Sequence, residues 1–163
     1  MKGFVLALGL MASCAAMAAA PGTADKHAVE RGKFLVGYGG CNDCHTPGWA
    51  EHGGHAPKNM LLIGGGMNFK GPWGTTYAPN LRLLTRKYTV KQWIAHLRSL
   101  KTRPAMPWWT FRYLSDKDLT DMYVYIRSLG SAGKPAHAYV PPGQASPPPY
   151  FELKLPSKAK QGG

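Results

Sequence analysis

Apolar residues recur with a helical period in three stretches of this chain. From about Ala24 to Tyr38, Val29, Gly32, Leu35 and Val36 fall on one side. From about Thr89 to Leu100, Val90, Trp93, Ile94, Leu97 and Leu100 repeat at three- and four-residue steps, behind a Thr89 N-cap. From Ser115 to Leu129, Leu119, Met122, Tyr123, Ile126 and Leu129 keep the same spacing. There Ser115 and Asp118 form a capping-box pair, Arg127 suits the helix dipole, and Gly130 follows as a C-cap. No segment before residue 150 alternates as a strand should. The pattern therefore predicts an all-α domain of three main helices. Helices one and two are separated by a glycine-rich loop, Thr46 to Tyr88. Loops of that length are normally functional or wrapped around something.

The two ends read differently. Lys2 precedes an apolar run from Phe4 to Met11, and Ala18-Ala19-Ala20 offers a cleavage site before Pro21. Residues 1–20 are expected to be a secretory signal peptide. A retained anchor and lipidation at Cys14, within Met11-Ala12-Ser13-Cys14, are the competing readings. Residues 21–130 then form one domain, and 131–163 a tail holding seven of the 14 prolines. In that tail Phe151, Leu153 and Leu155 alternate, as an extended piece lying on the domain or on a partner would. The alternative is a loosely ordered tail.

Charge narrows the partners. Twenty Lys and Arg against eight acids give a formal net charge of +12. A basic surface steers toward acidic proteins or an anionic membrane face. Lys58, Lys70, Arg82, Arg86 and Lys87 are candidates for such steering. The cations are scattered rather than blocked, which argues against nucleic acid.

The chemistry concentrates in Cys41-Asn42-Asp43-Cys44-His45. C-x-x-C-H is the c-type haem attachment sequence. Its two thiols form thioethers to one porphyrin, and the histidine next to the second thiol supplies an axial ligand to the iron. A thioredoxin-like dithiol would want a βαβ context, and a structural zinc site a second ligand pair; neither is present. A disulfide across two residues makes a cramped loop. Of the three cysteines, Cys14 would leave with the signal peptide, and haem would consume the other two.

These features resemble a class I cytochrome c, and more closely the bacterial single-haem domains in cytochrome subunits of alcohol and aldehyde dehydrogenases. Cys44-His45-Thr46, Gly71-Pro72-Trp73-Gly74, Tyr77-Ala78-Pro79-Asn80-Leu81, Met106-Pro107 and Leu114 to Leu119 carry the likeness in order, over roughly residues 29 to 130. Gly32 resembles the small residue where the first and last helices cross, and Tyr123 or Tyr125 the aromatic that meets it. The chain departs from the family after Leu81, where Arg82 to Lys87 is short and basic.

The resemblance implies a cytochrome c fold around one covalent haem c, and a methionine as second axial ligand, a soft donor that raises the potential. Met60, Met67, Met106 and Met122 are the candidates. Met106, held between Pro104 and Pro107 and followed by Trp108, Trp109 and Phe111, is the expected ligand. Met122 belongs to a buried helix face. His52, His55 and His96 are weaker alternatives for a bis-histidine site. The other nitrogen of His45 is expected to donate to a backbone carbonyl, that of Pro57 or of Pro72.

The functional expectation is a periplasmic single-electron carrier, without catalytic residues of its own. Its partners would be redox proteins with acidic docking surfaces, in a respiratory or dehydrogenase complex. A permanently bound dehydrogenase subunit, and a haem sensor or enzyme with an open sixth site, remain as alternatives.

Overall fold

A computed structural model describes residues 25–154. The expected signal peptide at residues 1–20, with Cys14, and Leu155 of the tail lie outside them. The first long helix, α1 (Lys26–Tyr38), is capped by the Asp25 side chain and stops at Gly39. The haem motif itself is a short helix, α2 (Cys41–His45), entered through Gly40 at φ +66°. Helix α4 (Val90–Ser99) starts with a capping box of Thr89 and Gln92, and α5 (Asp116–Ser128) with one of Ser115 and Asp118. Gly130 follows α5 at φ +76°, the left-handed turn that glycine takes at no steric cost.

α1 and α5 make the most extensive contact between elements. They cross at Gly32, where a Cβ would lie 2.0 Å from the Asp121 carbonyl oxygen and 2.8 Å from Tyr125 Cβ. Tyr125, rather than Tyr123, is thus the aromatic at the crossing. Tyr123 reaches sideways, its hydroxyl donating to the Tyr88 carbonyl at 2.8 Å. Val36, Leu62, Trp93, Leu97, Leu119, Met122, Tyr125 and Ile126 form the core between the helices.

The chain is not purely helical. Strands β1 (Asn68–Gly71) and β2 (Gly74–Tyr77) form an antiparallel hairpin within the stretch expected to be loop. Each has only four residues, and three of the eight are Gly or Asn, so neither shows two-residue alternation. The same stretch holds α3 (Leu81–Leu84), capped by Asn80, and a 3₁₀ turn at Thr85–Lys87.

Residues beyond Gly130 run back over this hairpin. Val140 pairs with Thr75, and β3 (Phe151–Glu152) adds to β1 as a parallel third strand. Tyr77 donates its hydroxyl to the Pro147 carbonyl at 2.7 Å, and Asn68 Nδ2 donates to that of Pro149 at 3.0 Å. Tyr139 donates to the Trp73 carbonyl at 2.8 Å. The proline-rich segment leaves many backbone acceptors free of its own helix or sheet, and the hairpin's side-chain donors take them.

Candidate haem site

Four groups of residues enclose an apolar chamber of about 320 Å³. Cys41, Cys44 and His45 of α2 line one part of it. Leu81, Leu84, Trp93, Leu97, Leu100, Met122 and Ile126 form the helical wall. Met106 and the preceding residues 102–105 contribute from the loop after α4, with Phe111 behind them. Met67, Phe69, Tyr77, Ala78 and Pro79 close the side toward the hairpin. The size and the mainly apolar lining, with few polar groups, are those of a cofactor pocket.

His45 is 5% exposed. Its Nδ1 lies 2.7 Å from the Pro79 carbonyl oxygen, to which it donates. The carbonyl is neither that of Pro57 nor that of Pro72. The spacing misled because the hairpin intervenes: Gly65 N donates to Ala78 O, so the chain returns to the motif only at Pro79. Donation from Nδ1 fixes the tautomer and leaves Nε2 with its lone pair. Burial also pulls the imidazole pKa below its usual value, which favours the neutral form that binds metals. Burial pushes the Cys41 thiol up to about 11 and raises that of Cys44 too. Both side chains are partly buried and unpaired.

Two glycines let the backbone crowd the motif. A Cβ on Gly66 would lie 2.6 Å from the Thr46 carbonyl oxygen and 2.9 Å from that of Cys44. On Gly64 it would meet Ala78 O and Asn80 N at 2.7 Å. Thr46, fully buried, donates to Asn42 and accepts from Leu62 N, both at 2.9 Å.

The methionines separate by position. Met60 is not on the chamber wall, while Met67, Met106 and Met122 are. Met67 N donates to the Cys44 carbonyl, so this residue stands beside the cysteine motif itself. Met122 is 4% exposed within the helical core. Met106 comes from a separate loop. Arg98 ties the end of that loop to α4, donating to the carbonyls of Phe111 and Leu114 at 2.6 Å and to Asp116 at 2.8 Å. Of the aromatics after Met106 only Phe111 reaches the chamber; Trp109 is 50% exposed. His52 and His55 lie off the chamber, and His52 Nδ1 is taken by the Gly48 carbonyl at 2.6 Å. His96 lines it, stacked on Tyr88. No group of three or more His, Cys, Asp or Glu suited to a metal occurs among the described residues.

Arg82 corrects a sequence expectation. It is 4% exposed and faces inward onto backbone carbonyls, so it cannot steer a partner. The flanking Leu81, Leu83 and Leu84 gave no hint that the arginine would be the buried member.

A haem fits these residues. The chamber brings two thiols, an imidazole and three thioethers to one apolar space. The Trp93 indole Nε1 on its wall is buried and has no acceptor among the described residues, an orphaned donor that a carboxylate-bearing cofactor can satisfy.

Two curated proteins are similar in sequence. The fructose dehydrogenase cytochrome subunit of Gluconobacter japonicus is 27% identical over 116 residues, 65% of this chain and 22% of the relative. The alcohol dehydrogenase (quinone), cytochrome c subunit of Gluconobacter oxydans (strain 621H) is 32% identical over 130 residues, 74% of this chain and 25% of the relative. The chain thus spans about a quarter of the length of these relatives. No protein-family model and no solved structure matches it. The motif, the chamber and these relatives together make the chain similar to c-type cytochromes. It is similar to the cytochrome subunits of dehydrogenases.

Proposed function

We propose that this chain carries one haem c through Cys41 and Cys44, with His45 and Met106 as axial ligands, and relays single electrons as a cytochrome subunit of a periplasmic dehydrogenase complex. The observation that carries the reading is the placement of the C-x-x-C-H helix and Met106 on one apolar chamber, with His45 Nδ1 already committed to a carbonyl. The haem would supply an iron that cycles between Fe(III) and Fe(II).

The protein's part is to hold ligands still and keep water out. Pro79 and Gly64 fix His45 from its ring and its backbone, which restricts the ligand to one orientation. Arg98 anchors the far end of the Met106 segment. The apolar lining favours the lower-charged form of the centre.

The relatives favour a bound subunit over a freely diffusing carrier. The chain's charge supports an acidic partner surface. From His52 to Ser115 there is no Asp or Glu against ten Lys and Arg. Lys58, Arg86 and Lys87 are exposed. Residues 1–20 serve as the export signal, with Cys14 lipidation as the competing route to the membrane.

Ferric and ferrous absorption spectra test the ligand set. A methionine–iron charge-transfer band that disappears in Met106→Ala supports it. A high-spin ferric spectrum in the unaltered protein, with carbon monoxide binding at no cost in ligand displacement, points instead to an open sixth site.

A further inference from the structure

Arg82 makes no ion pair among the described residues. Instead its guanidinium donates to four carbonyls: Nε to Gly130 at 2.6 Å, Nη1 to Lys58 at 3.0 Å and Leu61 at 3.4 Å, and Nη2 to Leu129. Leu129 and Gly130 close α5, where the helix dipole is negative and a cation is favoured. Lys58 and Leu61 belong to the loop that leads back to the haem motif. One side chain therefore bolts together the end of the last helix, that loop and α3.

Three residues before Arg82 stands Pro79, whose carbonyl accepts from His45. Between them, Asn80 caps α3 by accepting from Leu83 N at 3.1 Å and sends its amide to the carbonyls of Ala132 and Lys134, at 2.8 and 3.2 Å. Leu81 N donates to Leu62 O, which fastens the same segment to the loop. Residues 79–82 are thus anchored on three sides, and no other described hydrogen bond of a ring nitrogen involves His45.

We propose that Arg82, assisted by Asn80, is a positioning residue for the proximal ligand: it holds the 79–82 segment so that the Pro79 carbonyl stays on His45 Nδ1. The inference rests on His45 being the axial ligand proposed above. Arginine is required because its forked donors reach two segments at once; lysine keeps the charge but offers a single nitrogen. Arg82 is thus an internal fastener, not part of a docking surface.

The test uses the haem-loaded, ferrous protein and hydrogen exchange read by NMR. The exchange rate of the His45 Nδ1 proton is compared with those of core amides in α1 and α5. In Arg82→Lys the ratio of the two rises about tenfold, because the ligand's hydrogen bond opens locally. A general loss of stability would raise both rates by the same factor. An unchanged ratio, with both rates rising or neither, overturns the proposal. Should Arg82→Lys yield no holoprotein, Asn80→Ser is read by the same ratio, since it keeps an oxygen cap for α3 and removes the amide. Wild-type protein lacking covalent haem would sink the ligand assignment itself; haem-loaded protein with an unchanged ratio sinks this inference alone.

Discussion

Gly32 is where α1 and α5 touch, and replacing it with alanine tests that packing directly. The added Cβ would stand 2.0 Å from the Asp121 carbonyl oxygen and 2.6 Å from its carbon. Real Cβ contacts essentially never fall below 3.0 Å, so something must move by about 1 Å. The obstructing atoms are helix backbone, which cannot rotate away as a side-chain tip can. The two helices must separate along their most extensive contact, and Val36, Leu119 and Ile126 lose packing with them. Overpacking of this kind costs about 1–3 kcal/mol or more. Alanine's better helix propensity returns up to about 1 kcal/mol. The net expectation is about 2 kcal/mol of destabilisation, a roughly thirtyfold fall in the folding constant. Gly37 supplies the control within the same helix, since nothing lies within 4 Å of its Cβ position. Gly37→Ala should be neutral or stabilising by up to about 1 kcal/mol. Guanidinium unfolding of the two variants, followed by far-UV circular dichroism, should move the midpoints in opposite directions. Equal stability of Gly32→Ala and the wild type would show that the helices do not cross at this residue.

Three further outcomes are expected. Asp118 is held at a pKa of about 2, below its usual value of 3.8, mainly by hydrogen bonds from Arg31 and Ser115. The depressed value means that this carboxylate stabilises the fold above pH ~4 and that the contribution is lost as pH falls toward 2. Asp118→Asn should therefore lower stability at pH 7 and flatten the acid dependence between pH ~4 and ~2, by chemical denaturation at stepped pH. Arg98→Ala removes donors from the Phe111 and Leu114 carbonyls and should cost about 1–3 kcal/mol by the same unfolding assay, with faster exchange of amides in residues 102–113 than in α1. Met67→Ala should leave the methionine–iron charge-transfer band in place, while Met106→Ala abolishes it; the reverse pair of spectra would reassign the ligand.

The three long helices were legible because each carries a buried stripe and a capping side chain, and Ser115 and Thr89 mark their starts. Cys41, Cys44 and His45 were legible as a cluster because they fall within five consecutive residues, and the structure sets all three on one chamber. The hairpin was not. Four-residue strands rich in glycine and asparagine carry no alternation, and their partners, Val140 and Phe151, are more than sixty residues away in sequence. The Pro79 acceptor was hidden for the same reason, since counting from His45 ignores a hairpin inserted between them. Arg82 defeated the assumption that an arginine in a polar run is solvated. Its partners are carbonyls, which every residue carries and no sequence pattern reveals.

The most direct measurement is the intact mass of the protein purified from a host that matures c-type cytochromes. The account predicts the mass of the processed polypeptide plus one haem, retained after acid–acetone extraction. A mass equal to the polypeptide alone, with the pigment absent or extractable, would contradict it.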